Sequence, residues 1–181
     1  MSSSRVNTVV IPEDTTYVDY DLLMNLPNVT GVHCYADCEF EMIGIEDGKS
    51  TSYYDFISVP NSQVKRLVIG GNVTSIKDYR FMNSTLEEVV IADGVTYIGS
   101  RAFHNCYNLT SLSIADSVTD ISWEAFGFCS SLTSVVLPNN LTTISERTFQ
   151  QCYNLSSITI PNSVTYIGEM VVSSCGSLSV I

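Results

Sequence analysis

The sequence predicts a β-rich solenoid, a stack of similar coils with parallel, in-register strands and short helical turns on the return side. A 23-residue unit repeats along most of the chain, and its first position is occupied by Leu86, Leu109, Leu132, Leu155 and Leu178. Apolar residues alternate at the fourth and sixth positions of the unit, which is the period of a β-strand. A fixed period of this length is typical of stacked supersecondary units.

The other conserved slots of the unit predict how each coil closes. A strand cannot bury its apolar face alone, so the neighbouring coils must cover it. A second apolar pair, Val118 and Ile121 in one copy, predicts a second short strand on the opposite wall. An Ala-Phe-x-x-Cys segment then predicts a helical turn that completes the coil. The aromatic slot of this segment holds Phe103, Phe126 and Phe149, and the cysteine slot holds Cys106, Cys129, Cys152 and Cys175.

The chain divides into two parts of one continuous solenoid. Residues 64–181 hold the regular repeats, the first of which is one residue short. Residues 1–63 hold two degenerate copies, which begin at Val6 and Val29, and an irregular acidic insertion. The sequence therefore predicts seven stacked copies and the opening of an eighth at Leu178.

The repeat resembles a known family. The stretch Leu-Ser-Ser-Ile-Thr-Ile-Pro-Asn-Ser-Val-Thr-Tyr-Ile-Gly at 155–168 and the segment Ala125-Phe126-x-x-Cys129 are similar to the BspA-like, Treponema pallidum-type leucine-rich repeats. The resemblance implies a leucine-rich-repeat solenoid in a secreted or cell-surface protein, and several members of that family adhere to host proteins. It thus implies a non-enzymatic binding or adhesion module, with extracellular or host proteins, or glycans, as partners.

A second hypothesis is a structural spacer that displays another domain and has no ligand of its own. An enzyme is not expected, because the sequence has no G-x-S-x-G, Walker or G-x-G-x-x-G motif. His33 and His104 are interpreted as solvated histidines, and no cofactor is expected. The alternating acids Asp37, Glu39 and Glu41 lack an ordered calcium loop, so no metal site is predicted.

The charge distribution argues against nucleic acid as a partner. Of the 19 acidic residues, ten lie in residues 1–63 against two bases, and nine lie in residues 64–181 against six bases. Nucleic-acid binding needs a basic stripe, which is absent. No apolar run is long enough for a membrane-spanning helix, and no signal peptide is present in this chain. Uncapped ends of the stack make an end-to-end homodimer a further expectation.

The cysteines are predicted to be free thiols. Residues that share a slot in a parallel stack lie about 4.8 Å apart, whereas a disulfide prefers Cβ atoms about 3.8 Å apart. The four repeated cysteines are therefore expected to form a ladder of buried, reduced thiols. A local disulfide between Cys34 and Cys38 is the alternative for the N-terminal pair, and the reduced form is favoured.

The candidate binding surface is the outward face of the sheet, which is the usual binding face of a solenoid. It is flat, small and neutral, with a charged patch only near Arg66 and Glu88. It lacks the aromatic and arginine anchors of tight interfaces, which favours weak or multivalent contacts. The favoured interpretation of Trp123, Tyr97 and Tyr107 is that their rings seal the edges of the coils; the alternative is a ridge for protein or sugar, and Tyr53 and Tyr54 are a further candidate. The sheet residues of the candidate surface are Arg66, Val68, Glu88, Val90, Ser111, Ser113, Ser134, Val136, Ser157 and Thr159.

Overall fold

The computed structural model describes residues 8–14, 29–34 and 64–180, and these residues form a solenoid with parallel strands. Each coil contributes a longer strand to a main sheet, and the coils from residue 64 onward add a two-residue strand to a minor sheet. The main-sheet strands are β1 (Thr8–Ile11), β2 (Gly31–Cys34), β3 (Arg66–Ile69), β5 (Glu88–Ile91), β7 (Ser111–Ile114), β9 (Ser134–Val136) and β11 (Ser157–Thr159). The minor-sheet strands are β4 (Ser75–Ile76), β6 (Tyr97–Ile98), β8 (Asp120–Ile121), β10 (Thr143–Ile144) and β12 (Tyr166–Ile167).

The main sheet keeps the register that the repeat predicts. Its strands pair in parallel in the order β1-β2-β3-β5-β7, and β9 pairs with β11. Equivalent slots lie opposite one another, as in the rows Val32, Leu67, Val89, Leu112 and Ile11, Cys34, Ile69, Ile91, Ile114. The backbone ladder is interrupted once among the described strands, because β9 lies beside β7 without pairing with it.

The minor sheet confirms the second short strand of the unit. Its five strands follow the order β12-β10-β8-β6-β4, and Ile98 pairs with Ile121, which pairs with Ile144. A glycine follows β6 and β12, at points where the preceding coil approaches the backbone closely. A Cβ atom on Gly99 would lie 2.6 Å from the Asp78 amide nitrogen, and one on Gly168 would lie 2.6 Å from the Glu146 amide nitrogen. The glycines therefore allow contacts that a larger residue would prevent.

The sequence predicts helical turns on the return side, and this prediction is wrong. Residues 64–180 and the shorter described segments contain no helix. We call the segment that follows each minor-sheet strand and contains the repeated phenylalanine and cysteine the turn wall. In each coil from residue 64 onward, two residues of the turn wall have positive φ, for example Arg101 at 55° and Asn105 at 61°. A right-handed helix requires negative φ at every residue. Instead, the amides of Arg101, Phe103 and Asn105 donate to carbonyls of the following coil, while the amides between them close local turns. The turn wall is thus a third ladder between coils.

The core lies between the three walls. The rings of Phe81, Phe103, Phe126 and Phe149 stack at centroid distances of 5.2, 5.3 and 5.6 Å. Beside them the repeated cysteine thiols donate to phenylalanine carbonyls of preceding coils at 3.2–3.3 Å. The free state predicted for these four cysteines is confirmed, although Cys175 is only partly buried. Cys38 lies outside the described residues, as do Tyr53, Tyr54 and the acidic stretch at 37–41.

No helix in the described part of the chain is long and apolar enough to cross a membrane.

Candidate binding surface

One half of the outward face of the main sheet carries charge. The Arg66 guanidinium donates from Nε to Glu88 Oε2 at 2.9 Å, and its Nη1 donates to His33 Nε2 at 2.8 Å. These three side chains lie on adjacent strands β2, β3 and β5. Beside them, Lys65 Nζ lies 3.5 Å from Glu87 Oε1. We call these residues, His33, Lys65, Arg66, Glu87 and Glu88, the charged face.

Two of the predicted surface residues in this half are covered, one almost completely and one in part. Val68 is only 8% exposed although it points to the outward side of β3, so it offers no surface to a partner. Val90 is partly buried in the same row on β5. Strand alternation predicts on which side of the sheet a side chain lies, but it does not predict whether other residues cover that side. The sequence therefore predicts an outward position for both valines and does not predict their burial.

The other half of the sheet is uncharged and exposed. Strands β7, β9 and β11 present only hydroxyl and small apolar side chains outward, and Val136 has 66% of its surface exposed. The members of this uncharged face are Thr110, Ser111, Ser113, Thr133, Ser134, Val136, Ser156, Ser157 and Thr159. It contains six of the predicted sheet residues, and the structure places them on three neighbouring strands.

A seam crosses the uncharged face where β7 and β9 do not pair. On the inward side of β7, Leu112 and Ile114 are only partly buried, whereas the equivalent Val89 and Ile91 on β5 are 0% and 1% exposed. At the seam, two side chains in regular core slots are therefore less completely covered than their equivalents on β5. The repeat pattern could not reveal it, because Leu112 and Ile114 occupy regular core slots in the sequence.

The aromatic residues predicted as a ridge lie apart. Tyr97 is on β6 of the minor sheet and is 37% exposed, and Tyr107 lies in the turn after Cys106 and is 53% exposed. Trp123 lies in the turn wall under the Arg101 guanidinium, whose carbon is 4.2 Å from the ring centre. Among the described residues, no ring contact joins Trp123 to either tyrosine.

His104 is buried, which corrects its interpretation as a solvated histidine. It is 8% exposed, its ring centre lies 4.9 Å from that of Phe128, and its Nε2 is 3.4 Å from Glu124 Oε2. Glu124 is also buried and accepts a hydrogen bond from Arg101 Nε at 2.7 Å. Burial lowers the pKa of His104, while the Glu124 carboxylate opposes that shift. His104 Nδ1 has no hydrogen-bond partner in the described part of the molecule.

The chemistry of these groups does not assemble a reactive centre. Burial raises the pKa of the Cys129 thiol, which disfavours the thiolate that a nucleophile requires. The His104 ring contacts Glu124, which is also paired with Arg101, and neither of these residues is a nucleophile of the serine or cysteine type. Within the described residues, no group of histidine, cysteine or acidic side chains has the arrangement of a metal site.

Comparison with known proteins agrees with this architecture. The family model of the BspA type leucine rich repeat region matches residues 49–179 in six copies. A search of curated proteins found no match. The comparisons indicate no enzyme family for this chain.

Solved structures of bacterial proteins share the fold. A leucine-rich repeat protein from Bacteroides ovatus aligns with a TM-score of 0.58 and 25% identity over 97% of this chain and 37% of that chain. A leucine rich cell surface protein from Faecalibacterium prausnitzii aligns with a TM-score of 0.58 and 24% identity over 98% of this chain and 48% of its own length. The Treponema pallidum leucine rich repeat protein aligns with a TM-score of 0.50 and 20% identity over 98% of this chain and 59% of its own length.

This chain therefore spans between 37% and 59% of the length of these three structures. The family match covers more than two thirds of the chain, and the parallel coils carry the repeated leucine, phenylalanine and cysteine slots in their core. The chain belongs to the BspA-type leucine-rich repeat family.

Proposed function

We propose that this chain is a non-enzymatic, protein-binding module of a secreted or cell-surface protein, and that it adheres to extracellular or host proteins. The observation that supports this proposal best is the uncharged face. Three adjacent strands present exposed serine, threonine and valine side chains without an ion pair between them. The description of the F. prausnitzii neighbour as a cell surface protein supports the proposed location.

The uncharged face suits contact with a protein surface for a physical reason. Hydroxyl groups and small apolar groups lose little hydration free energy on burial compared with charged groups. The flat backbone of paired strands holds them in fixed positions, so few rotamers are lost on binding. No aromatic or arginine anchor stands on this face, and we therefore propose a weak contact that gains strength when several copies are displayed together.

A binding screen against immobilised extracellular-matrix and plasma proteins tests this function. We expect at least one saturable interaction that is lost when the chain is unfolded. Ser134→Glu would introduce a carboxylate into the centre of the uncharged face and should weaken that interaction about tenfold or more. Thr142→Glu is the matched control, because Thr142 is exposed next to β10 of the minor sheet.

The spacer hypothesis makes the opposite prediction. A spacer without its own ligand should retain no protein above background, even when the chain is coupled to a multivalent support. Retention that is equal for Ser134→Glu and Thr142→Glu would locate the interaction outside the uncharged face. Either result would refute the proposed role of this face.

A further inference from the structure

A pair of exposed tyrosines lies at the corner where the turn wall leads into the main sheet. Tyr107 and Tyr153 occupy the slot directly after the repeated cysteine, and they are 53% and 50% exposed. Tyr107 precedes β7 and Tyr153 precedes β11, so one coil separates them. In that intervening coil the same slot is occupied by Ser130. Although β7 and β9 do not pair, the amides of Asn105 and Phe128 donate to the carbonyls of Gly127 at 2.9 Å and Gln150 at 2.7 Å, which keeps the coils at ladder spacing beside this slot. Two such spacings place the tyrosines about 10 Å apart, on either side of a small residue.

The groups around the tyrosine pair are polar and neutral. Asn108 and Asn154 follow the two tyrosines and are exposed, and their carboxamides make no hydrogen bond to another described side chain or carbonyl. The Tyr153 hydroxyl donates to Gln151 Oε1 at 2.5 Å, which holds that ring in one orientation. The corner therefore combines two aromatic faces with amide groups that are available as both donors and acceptors.

Charged residues are absent from all three coil segments at this corner. Residues 105–113, 128–138 and 150–161 contain no Asp, Glu, Lys or Arg. Such a surface gives no electrostatic preference for a polyanion or an acidic sugar. An aromatic ring has an apolar face, and it packs against the carbon-bound hydrogens of a pyranose, while the sugar hydroxyls need neutral donors and acceptors at the edge of the ring.

We propose that this corner is a binding site for a neutral glycan. A pyranose ring occupies the space above Ser130 between Tyr107 and Tyr153, and the Asn108 and Asn154 carboxamides hydrogen-bond to its hydroxyls. The separation of about 10 Å accommodates a sugar ring with one van der Waals layer on each side. This site is adjacent to the uncharged face but does not depend on protein binding there, so it goes beyond the proposed function.

The test is a glycan array probed with the chain as a streptavidin-linked tetramer. The array carries oligosaccharides that end in galactose, glucose, mannose or N-acetylglucosamine, beside sialylated and sulfated counterparts. We expect binding to at least one neutral group and no gain from sialic acid or sulfate. Saturation-transfer NMR on the best neutral oligosaccharide with the untethered chain should then show contact with the sugar ring.

Variants locate the site on the same array. Tyr107→Ala and Tyr153→Ala should each weaken binding about tenfold or more, because truncating an aromatic anchor commonly has an effect of that size. Ser130→Trp should abolish binding by filling the space. Tyr166→Ala is the matched control, since Tyr166 is 60% exposed on the minor sheet. Circular dichroism and thermal unfolding verify that each variant is folded.

Three outcomes would overturn the assignment. The first is that no neutral oligosaccharide binds the tetramer. The second is that binding persists unchanged in both Tyr107→Ala and Tyr153→Ala while these variants remain folded. The third is a preference for sialylated or sulfated glycans, which the uncharged corner does not explain. Loss of protein binding in Ser134→Glu, together with its retention in the two tyrosine variants, would support a glycan site that is distinct from the protein-binding face.

Discussion

The two halves of the main sheet share one backbone and differ in the face that they present. Strands β2, β3 and β5 carry an ion pair and a histidine contact centred on Arg66, and Val68 between them is buried. Strands β7, β9 and β11 carry no charge, and Val136, which occupies the same repeat slot as Val68, is 66% exposed. The inward slots are leucine, isoleucine, valine or cysteine in both halves.

The two halves differ in the outward slots of the repeat and share the same kind of interior. Each inward side chain contacts equivalent residues of the two neighbouring coils, so its size is restrained from both sides. An outward side chain contacts mainly solvent and its row neighbours, so it varies without loss of the fold. The distinction between the halves is therefore a property of outward slots, and experiments can separate it from the common interior.

Phe126→Ala should have the largest effect, because it breaks the interior that keeps both halves in register. Phe126 is 0% exposed and stacks between Phe103 and Phe149. Removal of a buried phenylalanine ring costs about 3–5 kcal/mol of unfolding free energy. Urea denaturation measures this loss, and Val136→Ala, which truncates an exposed residue, should stay within about 0.5 kcal/mol of the unmodified chain. A loss below about 1 kcal/mol for Phe126→Ala would mean that the aromatic stack is dispensable.

Acidification should lower the stability of the folded chain by less than Phe126→Ala does, and it should act through a histidine at the boundary between the two halves. His104 belongs to the coil of β5, and Glu124 belongs to the coil of β7. Because burial lowers the pKa of His104 in the folded chain, the unfolded chain binds the proton first as the pH falls through about 6.5. Stability that is present above this pH should therefore decline on acidification from pH 7.5 to 5.5.

Thermal unfolding of His104→Gln measures this contribution. The variant cannot take up the proton, so its melting temperature should fall less over the same pH interval than that of the unmodified chain. All other ionisable groups are the same in both proteins. Parallel pH profiles for the two proteins would show that His104 does not titrate differently in the folded and unfolded states.

Removal of the charged pair should have the smallest effect and should sharpen the contrast between the two faces. Arg66 and Glu88 have side chains that are 41% and 40% exposed, and solvent-exposed pairs contribute about 0–1 kcal/mol. The double variant Arg66→Ser and Glu88→Ser should lose no more than that in urea denaturation. It should retain the protein ligand that Ser134→Glu loses, and loss of that ligand in the double variant would assign binding to the charged face instead.

Prediction from sequence failed at two places on the turn wall, and both failures have one cause. The Ala-Phe-x-x-Cys segment has helical spacing, yet Arg101 and Asn105 adopt positive φ because alternate amides bond to the next coil. The sequence predicts that His104 lies in a solvated loop. In the structure it packs against Phe128 and Glu124, which are 24 and 20 residues away in sequence. Neither contact has a local signal, since the partners belong to another coil.

The repeat, the register of both sheets and the inward position of the leucine, phenylalanine and cysteine slots can all be predicted from the sequence. This is possible because a 23-residue period returns each slot to the same position on a stack, and the same period aligns Tyr107 and Tyr153 on either side of Ser130. The path of the turn wall, the burial of Val68 and His104, and the seam between β7 and β9 emerge only in the folded chain. These features depend on distances between coils and on what covers a side chain, and a one-dimensional period carries neither.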